Sequence, residues 1–211
     1  MEKMAVCLLR FCASNFRQSC LVPYIRLGCV PSRTVTLERL RMASLQNEAR
    51  EKARDFLENY WADGAGLVRF PVDPIIIANR LDVEVKGATL ENEVSGVLMR
   101  KPGAENAEIL LNKHDSERRK RFTCAHELGH LARRLDDRES KIGFVDSRDT
   151  LAGKGTDPEE IFANAFAAEL LMPGVAVRKW WGDGISVLKI ARIFDVSVPA
   201  MEVRLSSLGL K

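Results

Sequence analysis

Arg121-Phe122-Thr123-Cys124-Ala125-His126-Glu127-Leu128-Gly129-His130-Leu131 is the stretch on which the fold turns. Residues 126–130 form the pentad His-Glu-x-x-His. On a helix, residues four apart lie on one face, one turn above each other. The two imidazoles can therefore grip one metal ion, with Glu127 beside the first as a proton acceptor. The chain of 211 residues has three histidines, His114, His126 and His130, and two of them fall in the pentad. A surface helix carrying two histidines by chance is the plain alternative, and the flanks weigh against it. Leu128, Leu131 and Ala132 give the segment an apolar face. Gly129 weakens a helix interior by about 1 kcal/mol relative to Ala, which predicts that another backbone packs close to the metal-bearing turn.

A catalytic zinc takes three protein donors and keeps one position open. No fourth histidine and no nearby cysteine cluster supplies the third donor. Asp157 to Pro173 does. Asp157 suits an N-cap, Pro158 a first helical turn and Pro173 a stop, so the segment reads as a helix. Ile161, Phe162, Ala165, Phe166 and Ala168 make its buried face. Glu160 and Asn164 are four apart and share a face of their own, where Asn164 can orient a ligand or a water. Glu169, set among Ala168, Leu170 and Leu171, is a rival donor. Glu159 suits an exposed carboxylate favoured by the helix dipole.

Arg119 to His130 reads R-x-R-F-T-x-A-H-E-L-G-H, and Glu160 to Pro173 reads E-x-x-A-N-x-F-A-A-E-L-L-M-P. Together these motifs resemble the ImmA/IrrE family of metallo-endopeptidases, over about Ala49 to Leu210. The resemblance selects Glu160 over its rivals. It implies Zn2+ held by His126, His130 and Glu160, with Glu127 as catalytic acid and base. It implies an α+β fold, a small β-sheet packed on a zincin-like helical core. It also implies a protein substrate, a helix-turn-helix repressor.

Composition sets bounds. Hydrophobic content of 46% and charged content of 29% describe a soluble globular chain. The net charge of +3 is carried by the N-terminal stretch, where residues 1–41 hold seven basic residues and two acidic ones. Residues 42–211 therefore balance at −2, which gives no bulk electrostatic case for nucleic acid. Cys7, Cys12, Cys20 and Cys29 also fall before Met42, at spacings of no common zinc module. Cys124 has no partner within the domain, which suits a reducing cytoplasm. It reads as a small buried helix residue rather than a redox switch. The break at Met42 marks residues 1–41 as an extension outside the core, either disordered or not translated. A transit peptide is the rival for a segment so rich in Arg and poor in acids. No stretch approaches the ~18 apolar residues of a membrane span.

Along the chain, residues 45–62 carry Ala49, Ala53, Phe56, Leu57 and Tyr60 on one helical face. Asp73-Pro74 opens a second helix, Ile75 to Leu81. Val83 to Val85 reads as a short strand. Val94–Arg100 and Ala107–Asn112 read as paired strands with a turn between. The pentad helix is expected from Ser116 to Leu135. Residues 136–156 are polar and contain Gly, and read as a connector or a lid. The run Arg118-Arg119-Lys120-Arg121 reads as a solvated helix start, and Trp180-Trp181 as a packing anchor. Ile185 to Leu208 has helix-turn-helix spacing with Asp195-Val196-Ser197 as the turn. Its second helix offers only Glu202, Arg204, Ser206 and Ser207 to a groove, which argues against direct DNA binding. The division expected is a peptidase domain over residues 42–174 and a helical subdomain over 175–211. The oxyanion stabiliser common in zinc peptidases has no evident source, since Tyr24, Tyr60 and His114 are the only candidates. That gap leaves a zinc-containing regulator without proteolysis, or a DNA-binding factor, as alternatives.

Overall fold

Four short runs pair into one sheet: β1 (Glu84–Ala88), β2 (Val94–Arg100), β3 (Glu108–Asn112) and β4 (Phe144–Asp149). Their order is β1-β3-β2-β4. β1 runs parallel to β3, while β2 is antiparallel to both β3 and β4. Leu98, Ile109 and Leu111 are buried from β2 and β3. The structure, a computed structural model, describes residues 33–91, 93–101, 104, 106–134, 144–149 and 157–211. Residues 1–32, with four of the cysteines, lie outside the described residues, as do most of 135–156.

Among the described residues, seven helices complete the mixed α and β architecture: α1 (Arg33–Tyr60), α2 (Pro74–Arg80), α3 (Glu117–Arg134), α4 (Pro158–Leu171), α5 (Gly174–Gly182), α6 (Val187–Phe194) and α7 (Val198–Ser207). Helix ends follow from capping chemistry. Asp73 accepts from Ile75 N at 2.9 Å, and Asp157 from Glu159 N at 3.0 Å, each ahead of a proline at the first helical position. α3 lies on the sheet against β2 and β3, α4 crosses α3, and α1 packs along α4. Phe56 meets Phe166 edge to face, with ring centroids 5.1 Å apart, at the α1–α4 contact. Among the described residues no single helix is long and apolar enough to cross a membrane.

Three local expectations need correction. The first helix begins at Arg33, not near residue 45. From Leu37 on, its early turns are largely exposed: Leu37 and Leu40 are 66% and 63% exposed, and Ala49 is the first fully buried side chain among the described ones. Periodicity reports a buried face, so it misses helix that has none. The connector 136–156 contains β4, which lacks apolar alternation and is held by backbone pairing to β2. The basic run at the start of α3 is only partly solvated. Arg119 donates to Ser95 Oγ on β2 at 2.7 and 3.0 Å. Arg118 and Arg121 pair with Asp195 at 2.9 and 3.1 Å, and Arg121 donates to Val72 O at 2.7 Å. These charges fasten the α6–α7 turn to α3.

Trp180 anchors as expected, against Phe70 and Phe194 at 5.5 and 5.0 Å. The C-terminal helices also rest on a buried ion pair. Glu169 of α4 and Arg204 of α7 are each 2% exposed at the side chain and pair directly. Glu169 also accepts from Arg54 Nε at 3.2 Å and from Gly174 N at 3.3 Å, and Arg204 donates to Met172 O at 3.0 Å. Arg204 is thus unavailable to any DNA groove. Removing one partner strands a buried charge, whereas replacing both by apolar groups does not. Urea unfolding should show Glu169→Ala losing about 3–5 kcal/mol, and Glu169→Met with Arg204→Met losing much less. Equal losses in the two variants would mean that the pair is not what holds α7.

Candidate metal centre

α3 presents His126 and His130 one turn apart, both buried. α4 brings Glu160 across to face them. The ligand atoms of the three residues lie within 4.8 Å of one another. His126 Nε2 is 3.0 Å from His130 Nε2 and 3.5 Å from Glu160 Oε2, and His130 Nε2 is 3.2 Å from Glu160 Oε1. Donors about 2.0–2.1 Å from a tetrahedral ion sit roughly 3.3–3.4 Å apart. The observed separations bracket that edge. Two imidazoles and one carboxylate are also the donor types that zinc accepts, so the trio fits such an ion.

Asn164 orients the His126 ring. Its Oδ1 accepts from His126 Nδ1 at 3.1 Å, one helical turn beyond Glu160. With Nδ1 engaged there, Nε2 is the ring atom that faces His130 and Glu160. Hydrogen bonding to His126 and then His130 holds the Glu160 carboxyl well below the usual carboxylate range. The trio is therefore poised as one anion facing two imidazoles.

The approach of α4 to α3 depends on Gly129, as the sequence anticipates. A Cβ there would lie 2.9 Å from Ala163 Cα and 3.2 Å from Ala163 O. Nothing larger than glycine fits without moving α4. Glu127 is buried on the sheet side of α3. It lies over Gly96 of β2, whose added Cβ would stand 3.4 Å from Glu127 Oε1 and 2.3 Å from Thr123 Cγ2. Sequence reasoning passed over Gly96, although a glycine inside a strand signals a close approach. β4 pairs with β2 along this stretch, through Val97↔Ser147 and Val94↔Asp149.

The rival carboxylates are engaged elsewhere. Glu159 pairs with Arg133 Nε at 3.1 Å, and Glu169 belongs to the buried pair with Arg204. Cys124 is buried, and burial pushes its thiol above the usual range. His114 is exposed in the turn before α3, and about 14 Å of helix rise separates Glu117 from His126. Tyr60 packs on Phe56 at 5.4 Å, and Tyr24 lies outside the described residues.

Comparison with known proteins points the same way. Residues 78–206 match the family Peptidase_M78, described as the IrrE N-terminal-like domain. The chain is also similar to a protein of Bacillus phage phi105 described as "Uncharacterized immunity region protein 2", at 30% identity over 108 residues. The alignment covers 51% of this chain and 63% of that relative, so less than two thirds of the relative is spanned.

The Gly129–Ala163 contact generates a prediction. Gly129→Ala should cost about 1–3 kcal/mol by overpacking, and should weaken binding of a divalent cation because α4 carries Glu160. Denaturation and cation titration measure both. An unchanged cation affinity would show that the helix crossing does not set the position of the trio.

Proposed function

The chain belongs to Peptidase_M78, the ImmA/IrrE family of metallopeptidases, and from that membership we propose that it is a zinc-dependent endopeptidase acting on one protein partner. The convergence of His126, His130 and Glu160, with Asn164 behind His126, is the observation that carries this reading. His126, His130 and Glu160 would hold the ion. When bound, zinc supplies Lewis-acid polarisation of a carbonyl and lowers the pKa of water. Glu127 takes a proton from the attacking water and delivers it to the departing amine nitrogen. Gly96 leaves room for that carboxylate at the face of β2. In this proposal the sheet and α2–α4, with α1 from Met42 onward, form a zincin-like core over residues 42–174. The helices of residues 175–211 form a helix-turn-helix-like unit that docks protein rather than DNA, since Arg204 is buried.

β4 is an edge of the sheet next to β2. In this proposal an extended segment of the partner adds to that edge as a further strand. Such a segment comes from a linker or an exposed helix end of the partner, not from a packed core. Likeness to a phage immunity region protein supports a partner of the repressor kind, and we propose a helix-turn-helix repressor in the cytoplasm.

Metal analysis of purified variants tests the ligand set. His126→Ala, His130→Ala and Glu160→Ala should each lose stoichiometric zinc, while Glu159→Ala keeps it. Glu127→Gln should keep both zinc and fold yet lose cleavage by about 10²–10⁴-fold. Stoichiometric zinc in Glu160→Ala would move the third ligand elsewhere, and full cleavage by Glu127→Gln would refute the proton-transfer role.

The substrate is tested by co-expression with a candidate repressor and mass spectrometry of the products. One cut in a linker is expected, absent with Glu127→Gln, and the same cut is expected from a chain starting at Met42. Rapid digestion of casein beside an intact repressor would replace the specific reading with a general peptidase.

A further inference from the structure

Beside the metal centre, α1, α4 and α7 border a cavity of about 540 Å³, a size that holds drug-sized ligands. Its walls are mostly apolar, formed by Phe122, Ile161, Ala165, Ala168, Met172 and Val203. The polar lining joins the neutral Gln46, Asn164 and Ser207 to two basic residues. Arg50 and Arg204 line it, and the Arg50 Nε is buried without a hydrogen-bond partner among the described residues. Among the described residues Arg50 donates through Nη1 to Asn47 at 2.9 Å. Arg204 is repelled by Arg50 and by Arg178, and Glu169, which answers it, also serves Arg54. Positive charge is therefore in excess around an apolar hollow. Arg50 lines this apolar hollow with a guanidinium that no described carboxylate pairs with, and a carboxylate answers such a group best through charge-assisted hydrogen bonds.

The same cavity reaches the metal centre. Asn164 lines it while its Oδ1 holds His126 Nδ1. A body lying against Asn164 bears on the group that orients the His126 ring.

We infer that this cavity binds an amphipathic carboxylate, with its head group at Arg50 and its apolar chain along α4, and that occupancy is felt at His126 through Asn164. The binding half stands apart from the peptidase reading. The coupling half rests on the metal centre proposed above. Because such coupling is reciprocal, the ligand shifts metal affinity by the factor that metal shifts ligand affinity.

Calorimetric titration of decanoate into the full chain, with decanol as the uncharged match, tests the site. Saturable one-to-one binding of decanoate is expected, and it should persist after chelation, since a head group at Arg50 needs no zinc. Arg50→Leu should weaken decanoate by at least about tenfold, the scale of one charge-assisted hydrogen bond, and leave decanol unaltered. Val203 is 70% exposed at the rim, so Val203→Asp should fold normally and weaken decanoate by like-charge repulsion. Zinc affinity, read by competition with a chromophoric chelator, should shift with decanoate in the wild-type chain and stay put in Arg50→Leu. Absent saturation, binding that disappears on chelation, or equal affinities in wild type and Arg50→Leu would overturn the site. A zinc affinity indifferent to decanoate would overturn the coupling alone. Either result is read without any cleavage assay, so failure here is separable from failure of the peptidase reading.

Discussion

The contact of Gly129 with Ala163 is the constraint on which the rest depends. Helix pairs normally stand apart by the width of the side chains between them. Glycine on α3 opposite an alanine backbone on α4 removes that width at one point. The crossing is then close enough for Glu160 to face both imidazoles and for Asn164 to reach His126 Nδ1. α3 by itself presents two of the three candidate donors. Only the second helix, held close, offers the third and fixes the ring orientation.

Charge buried at the other end of α4 holds this geometry in place. Glu169 and Arg204 tie α4 to α7, while Asp195 receives Arg118 and Arg121 from α3. Both helices of the centre are thereby clamped by the same C-terminal helices. Ion pairs of this kind add little net stability compared with apolar packing. What the Glu169–Arg204 pair adds is register, since a displacement of α7 would leave two buried charges unpaired. α6 and α7 are thus part of the frame of the metal centre, and their apolar residues Ile190, Phe194, Met201 and Leu205 belong to the common core.

The sequence by itself determined the local features. Capping residues and prolines placed the starts of α2 and α4, alternation placed β2 and β3, and the pentad spacing placed two histidines on one face. It also pointed to the close approach at Gly129, because a glycine is poorly suited to a helix interior unless packing requires it. Other features have no local signal. β4 exists because β2 offers it a backbone edge, and its own residues show no alternation. The described side chains Leu37 to Arg41 of α1 are all exposed, so no periodicity marks this part of the helix. Arg119, Arg121 and Arg204 look alike in the chain, as solvent-facing charges. Only tertiary packing sets them on Ser95, Asp195 and Glu169 respectively, because a charge's partner is chosen by distance in space. The same holds for the carboxylates of α4: the chain shows Glu159, Glu160 and Glu169 as equals in chemistry, and the crossing angle of two helices turns Glu160 alone toward the histidines.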